Sequence, residues 1–413
     1  MALGDLVSLV PERTSASAGV LPFPQPGVIW DLRAGNQVFI ADGSVWLEVV
    51  EANGSEVKTV VRNGGAISSF KGVNLPGVAI DQPVLTPEDK AALRFGLDQE
   101  VDWVAVSFVR SAEDIQHARD PLNRIDSNAL LMAKLERAEG VANLDSILAR
   151  VDGVMVARGD MDMELPMERV PVIQKEIALK ASRSGKVSAI ATQMLLSMVL
   201  PPSPTRAKVS DVTNAVLDGC DAIMLSDETA VGKYPIEAAR VADATIREAE
   251  TIYPYHKDLD SHGRTQAVAA AADGLVRSLG SKPVVITSTE RAAFEVSRYR
   301  SDQDTIVFSH DEAVLRKASL GWGLCPVGVI PAESDVAKLV ARLIQESLAS
   351  NLVGPDDSVT IVSRLLAWCF RHHQHHSSAG PEGVPSQRSR LSAALWSLAS
   401  PRAGKTGADW CVP

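Results

Sequence analysis

The chain has 413 residues, 46% of them hydrophobic and 22% charged, a balance that suits two or three globular domains with a sizeable core. The formal net charge of -10 and pI near 5.4 argue against a nucleic-acid partner, which favours a basic surface. No apolar run reaches the length of a membrane span, and the opening MALGDLVSLVPERT has neither the basic start nor the apolar stretch of a signal peptide, so no membrane partner is expected.

Residues 1–27 are rich in Pro, Ser and Ala and read as a loose leader. Residues 28–71 change character. β-branched alternation there is broken by AGN, ADGS, ANGS and RNGG, the pattern of a small antiparallel β module in which Trp30 and Trp46 fall on strands. From 72 to 250 the rhythm changes again. Apolar runs appear at VDWVAVSF (101–108), ALLMAKLE (129–136), VDGVMVARGD (151–160), KVSAIATQ (186–193) and CDAIMLSDE (220–228). Amphipathic stretches lie between them. In PMERVPVIQKEIALKASRSG, Val170, Ile173, Ile177 and Ala181 keep a helical period, and Gly185 stops it. Buried strands alternating with helices predict βαβ units and a parallel sheet.

Residues 262–365 predict a second α/β unit, with strands at PVVITST (283–289), DTIVFS (304–309), CPVGVI (325–330) and DSVTIVS (357–363). The tail, 366–413, has no sustained pattern and reads as mostly disordered. Its RHHQHH tract (371–376) offers imidazoles to a metal, but in such a tail it reads as incidental. Cys220, Cys325, Cys369 and Cys411 lie too far apart for a metal-ligand motif, which points to a reducing compartment. The cytoplasm is the expectation, and a plastid stroma or mitochondrial matrix would fit as well.

Charged residues at strand ends carry the functional signal. Lys134 and Glu136 alternate on one strand, so both side chains point the same way. Asp160 ends the next strand, where its carboxylate can converge with that of Glu136. Two carboxylates suit a hard divalent cation such as Mg²⁺, which keeps waters and takes its other ligands from the substrate. A neighbouring ammonium adds fixed positive charge for a phosphate or an enolate oxygen. On spacing alone a structural Lys–Glu pair at a sheet end is an equally good reading. The following strand ends bring Thr192 in ATQM, then Ser226 and Glu228 in SDET, each an ordinary loop or cap residue if taken singly. In a parallel α/β barrel, strand C-termini carry the chemistry.

These residues also carry a family resemblance. KGVNLPG (71–77), DWVAVSFVRSAEDI (102–115), AKLERAEGVANLDSIL (133–148), DGVMVARGDMDMELPMERVPVIQK (152–175), IATQMLLSM (190–198) and PTRAKVSDVTNAVLDGCDAIMLSDETAVGKYPIEA (204–238) resemble the pyruvate kinase family. The resemblance implies an α/β fold: a partial TIM (β/α)8-type barrel over 72–250, part of an inserted small β domain over 28–71, and a C-terminal regulatory domain over 262–365. It implies phosphoryl transfer from phosphoenolpyruvate to ADP, giving pyruvate and ATP. Glu136 and Asp160 then match the metal carboxylates for Mg²⁺ or Mn²⁺. Lys134 matches the lysine facing the phosphoryl group and the enolate oxygen. Gly159, Asp160 and Thr192 match the substrate-carboxylate cradle. Ser226 and Glu228 lie where the family relays a proton, and Ser107 and Phe108 match the phosphate-pocket strand end.

The family's first three barrel strands, with an Arg-x-Asn-x-Ser pattern and an Asp-Thr-Lys-Gly-Pro segment, find no counterpart, which leaves five barrel strand candidates. The ligands of the family's K⁺ ion fall in that segment. The alternative reading is therefore a catalytically inactive subunit or an incomplete gene model. Assembly as a homo-oligomer, or with complete subunits, is implied. Arg137, Asp162 and Asp227 depart from the family's usual residues without removing a metal ligand. Thr287, Ser288, Thr289 and Arg291 resemble the family's effector loop. Glu290 beside them stands where Gly is common and would repel an anionic effector, so no activation by a sugar bisphosphate is expected.

Overall fold

The computed structural model describes residues 1–11, 19–23, 31–41, 43–54, 56–67, 72–78, 84–125, 127–363, 367–371 and 397–398. The first sheet holds β1 (Leu6–Pro11), β2 (Val20–Phe23), β3 (Gln37–Ile40), β4 (Val45–Ala52), β5 (Val57–Asn63) and β6 (Val73–Asn74), in the order β2-β1-β5-β4-β3-β6. Alternate residues Val45, Leu47 and Val49 of β4, with Val57, Thr59 and Val61 of β5, are buried, as a sheet with one solvated face requires.

This sheet corrects two boundaries. The loose leader over 1–27 contains β1 and β2. Val7 and Leu9 are buried, β1 pairs antiparallel with β5, and Thr59 Oγ1 donates to Val7 O at 2.8 Å. The alternation in LVSLV was hidden by its shortness and by the Pro and Ser that follow. β6 pairs with Phe39 and Ile40, and Leu75 and Val78 join the core of the small sheet. The small domain thus runs beyond 71 to at least Val78. Trp30 lies outside the described residues.

The second unit runs α1 (Pro87–Asp98), β7 (Trp103–Val106), α2 (Ala112–Arg124), β8 (Leu130–Leu135), α3 (Ala138–Ala142), α4 (Leu144–Leu148), β9 (Gly153–Ala157), α5 (Arg158–Glu164), α6 (Val170–Arg183), β10 (Val187–Ala191), α7 (Arg206–Leu217), β11 (Ala222–Ile223), α8 (Asp227–Ala230) and α9 (Pro235–Glu250). The five strands are parallel, in the order β7-β8-β9-β10-β11. Helix starts follow local chemistry. Thr86 accepts from Asp89 N while Asp89 Oδ2 accepts from Thr86 N, a capping box, and Pro87 opens the helix. One face of the sheet, with Val104, Val106, Leu131, Leu135, Val154 and Ile190, packs under the helices.

The third unit comprises α10 (Arg264–Leu279), β12 (Lys282–Thr287), α11 (Arg291–Ser297), β13 (Thr305–Ser309), α12 (Glu312–Ala318), β14 (Leu324–Val329), α13 (Val336–Ala349), β15 (Ser358–Val362) and β16 (Ala367–Arg371), with sheet order β14-β13-β12-β15-β16. β16 is antiparallel to β15, and β17 (Ser397–Leu398) pairs with β7. These two short strands fall within the stretch read as tail; its other residues, with the His tract after Arg371, lie outside the described ones.

The second and third units share one core. Trp103, Leu130, Met132, Met155 and Val187 on the other face of the barrel sheet cluster with Ala272, Phe294 and Leu315. Asp221 fastens the seam. Its carboxylate accepts from Ser188 N, Ser188 Oγ, Arg300 Nη2 and Trp322 N, at 2.9, 3.1, 3.0 and 3.0 Å. Seam and rim lie at opposite ends of the same strands, because Asp221 precedes β11 whereas Ser226 follows it.

Candidate active site

Parallel strands place all their C-terminal ends on one rim, so Ser107, Glu136, Asp160, Thr192 and Ser226 come from five successive strand ends. Lys134 Nζ donates to Ser107 Oγ at 2.9 Å and lies 2.7 Å from Glu136 Oε1. The Glu136 side chain is 0% exposed and that of Lys134 only 11%. Phe108 N–H donates to Glu136 Oε2 at 2.6 Å. To aim that amide, Phe108 takes φ +57, a left-handed conformation uncommon for a bulky residue. Glu136 Oε1 is buried and, despite the nearby ammonium, has no well-aligned hydrogen bond. Burial pushes the Glu136 carboxyl above its ordinary range. The Lys134 charge pulls it back, and the Asp160 carboxylate adds to the rise.

Asp160 stands in the first turn of α5, and its Oδ1 accepts from Asn74 Nδ2 of the small domain at 3.1 Å. Among the described residues no cluster of three or more His, Cys, Asp or Glu is arranged to hold a metal ion. The donors at this rim are two carboxylates that sense each other's charge, one with a buried oxygen that has an ion-pair partner in Lys134 but no aligned hydrogen bond. Hard oxygen donors few in number fit Mg²⁺, which takes one or two carboxylates and leaves places for water and substrate oxygens.

The β10 end is held under strain. Thr192 and Gln193 have φ +67 and +56. Gly159 N–H donates to Thr192 Oγ1 at 2.8 Å, which joins the proposed cradle residues in one contact. Arg158 fixes the turn: it pairs with Asp211 and donates to Thr192 O at 2.8 Å. Glu228 is 1% exposed, and its two oxygens accept from Leu195 N and Ser226 N, both at 2.8 Å. It ties the two last rim loops together, with the Ser226 side chain half-buried beside it. The effector-loop residues stand apart from this rim, at the end of β12 and the start of α11. Thr287 Oγ1 donates to Thr289 O, while Ser288, Thr289 and Arg291 are exposed.

Sequence reading missed Asn74 and the Arg137–Glu164 pair as parts of the rim. Arg158, the cation that ends the second buried run beside Asp160, is legible in the sequence, though its partners Asp211 and Thr192 are not. Asn74 had no visible signal, because its partner lies 86 residues away.

Fold and rim define a class: a parallel α/β barrel protein whose strand ends present a lysine and two carboxylates. A family model described as pyruvate kinase, barrel domain, matches residues 10–239, and one described as pyruvate kinase, alpha/beta domain, matches 266–366. The pyruvate kinase of Clostridium acetobutylicum is 38% identical over 341 residues, covering 81% of this chain and 72% of that relative. Human pyruvate kinase PKLR is 38% identical over 357 residues, 84% of this chain and 62% of the relative. A crystal structure of a pyruvate kinase from Cryptosporidium parvum superposes with TM-score 0.82 at 30% identity, covering 89% of this chain and 79% of that one. The chain belongs to the pyruvate kinase family. It spans less than two thirds of several curated relatives, 59% of the Geobacillus stearothermophilus enzyme among them.

Proposed function

We propose that this chain transfers the phosphoryl group of phosphoenolpyruvate to ADP, giving pyruvate and ATP. The observation that carries the reading is the Lys134 ammonium held between Ser107 Oγ and the buried Glu136 carboxylate at the rim. Glu136 and Asp160 are the residues to hold Mg²⁺ or Mn²⁺, which when bound neutralises charge on the phosphoryl and enolate oxygens. Phosphoryl transfer needs positioning and electrostatic stabilisation more than a protein nucleophile. Lys134 supplies a fixed cation to the oxygens that gain negative charge. The Gly159 amide and Thr192 hydroxyl, now bonded to each other, are the donors to orient the substrate carboxylate. Glu228 holds the loop that presents Ser226, the group proposed to pass a proton to the enolate carbon. K⁺ is expected with the family, and no described residue is assigned to it.

The test is a coupled assay on the purified chain with phosphoenolpyruvate, ADP, Mg²⁺ and K⁺. Pyruvate formation that requires the divalent ion and falls roughly 100- to 1,000-fold in Lys134→Ala supports the reading. Activity indifferent to Lys134→Ala sinks it. No activity, with Mn²⁺ binding retained, favours the alternative of a non-catalytic subunit.

A further inference from the structure

We propose that Arg137 and Glu164 are a positioning pair that holds the small β domain docked over the rim, an inference that rests on the phosphoryl-transfer reading of that rim. Arg137 directly follows Glu136 and is 4% exposed. Its Nη2 donates to Val78 O at 3.3 Å and lies 3.5 Å from Glu164 Oε1, while its Nε lies 3.6 Å from Glu139 Oε2. Val78 is packed in the small-domain core, and Arg137 directly follows the last strand-end carboxylate of β8, so the guanidinium joins the two units. Glu164 ends α5, whose first turn carries Asp160. The pair therefore links the strand end that bears one metal carboxylate to the helix that bears the other, and ties both to Val78 of the small domain.

Two independent contacts lie on the same side. Asn74 Nδ2 donates to Asp160 Oδ1, and a Cβ at Gly43 would meet Met163 Sδ at 2.6 Å, so the β3–β4 turn rests on α5. The one Nη2 serves the carbonyl and the Glu164 carboxylate while the planar group keeps Nε toward Glu139, a spread that a single ammonium does not reproduce. A buried pair of this kind is weak evidence for stability, but it fixes geometry where its partners lie on different elements.

Hydrogen exchange of the full chain, read by mass spectrometry without substrate, tests this with Arg137→Gln, Glu164→Gln, the double variant and Arg137→Lys. Protection over Gly72–Val78 is expected to drop about tenfold or more in both single Gln variants, while β12 stays unchanged. The double variant should be no less protected than Arg137→Gln alone, because coupled partners are not additive. Arg137→Lys should recover part of the loss. Unchanged protection over Gly72–Val78 in both single variants, additive losses, or a drop shared equally by β12 would overturn the proposal. Failure of phosphoryl transfer would appear in the coupled assay and leave this measurement untouched.

Discussion

Replacing Lys134 by Met removes the one ammonium within ion-pair distance of Glu136 among the described residues. The carboxylate left behind is 0% exposed, keeps the Phe108 amide as its donor, and still feels the Asp160 charge. Breaking one side of a buried ion pair costs about 3–5 kcal/mol when the survivor stays charged. Glu136 escapes part of that by taking up a proton, each pKa unit being worth about 1.4 kcal/mol. Its carboxyl is already raised in the intact chain and rises further in the variant. A carboxyl raised in the folded state contributes stability below its unfolded pKa and loses it as pH rises through the folded one. Lys134→Met should therefore lie near the unsubstituted chain in urea midpoint at pH 5 and be destabilised by about 3 kcal/mol at pH 8. Lys134→Met combined with Glu136→Gln should regain most of that at pH 8. A Lys134→Met penalty that is the same at both pH values, or absent at pH 8, refutes the buried-pair reasoning.

Asp221→Ala should cost about 3–5 kcal/mol in the urea midpoint, because Arg300, 2% exposed, loses its carboxylate; a change under about 1 kcal/mol would show that the seam does not depend on this network. Burial raises the Glu164 carboxyl to about 6, against the pull of Arg137, so its contribution to stability is lost as pH rises through that value. Glu164→Gln should gain in melting temperature relative to the unsubstituted chain between pH 5 and pH 7.5; a relative loss over that range contradicts the assigned cause. Fructose bisphosphate should show no tight uptake by calorimetry, since the half-buried Glu290 stands among the exposed Ser288, Thr289 and Arg291; micromolar binding would overturn that expectation.

The barrel strands were legible because each buried run ends in polar residues, and parallel pairing turns such ends into a rim. The alternation of Lys134 with Glu136 was enough to place both on one side. What stayed hidden depends on segments distant in sequence. The Asn74 contact with Asp160 and the Arg300 contact with Asp221 span 86 and 79 residues. Left-handed backbone at Phe108, Thr192 and Gln193 leaves no mark on composition, because none is glycine. The leader was misread because β1 shows only a few alternating residues, and the contacts that define it come from β5. The small-domain boundary was misplaced because VNLPG looks like a loop until Val73 and Asn74 meet β3.

Electron paramagnetic resonance of Mn²⁺ titrated into the full chain probes the rim most directly. Shared grip by two carboxylates predicts about one bound ion per chain, with affinity falling sharply in Glu136→Gln and again in Asp160→Asn. Undiminished Mn²⁺ affinity in both variants would contradict it.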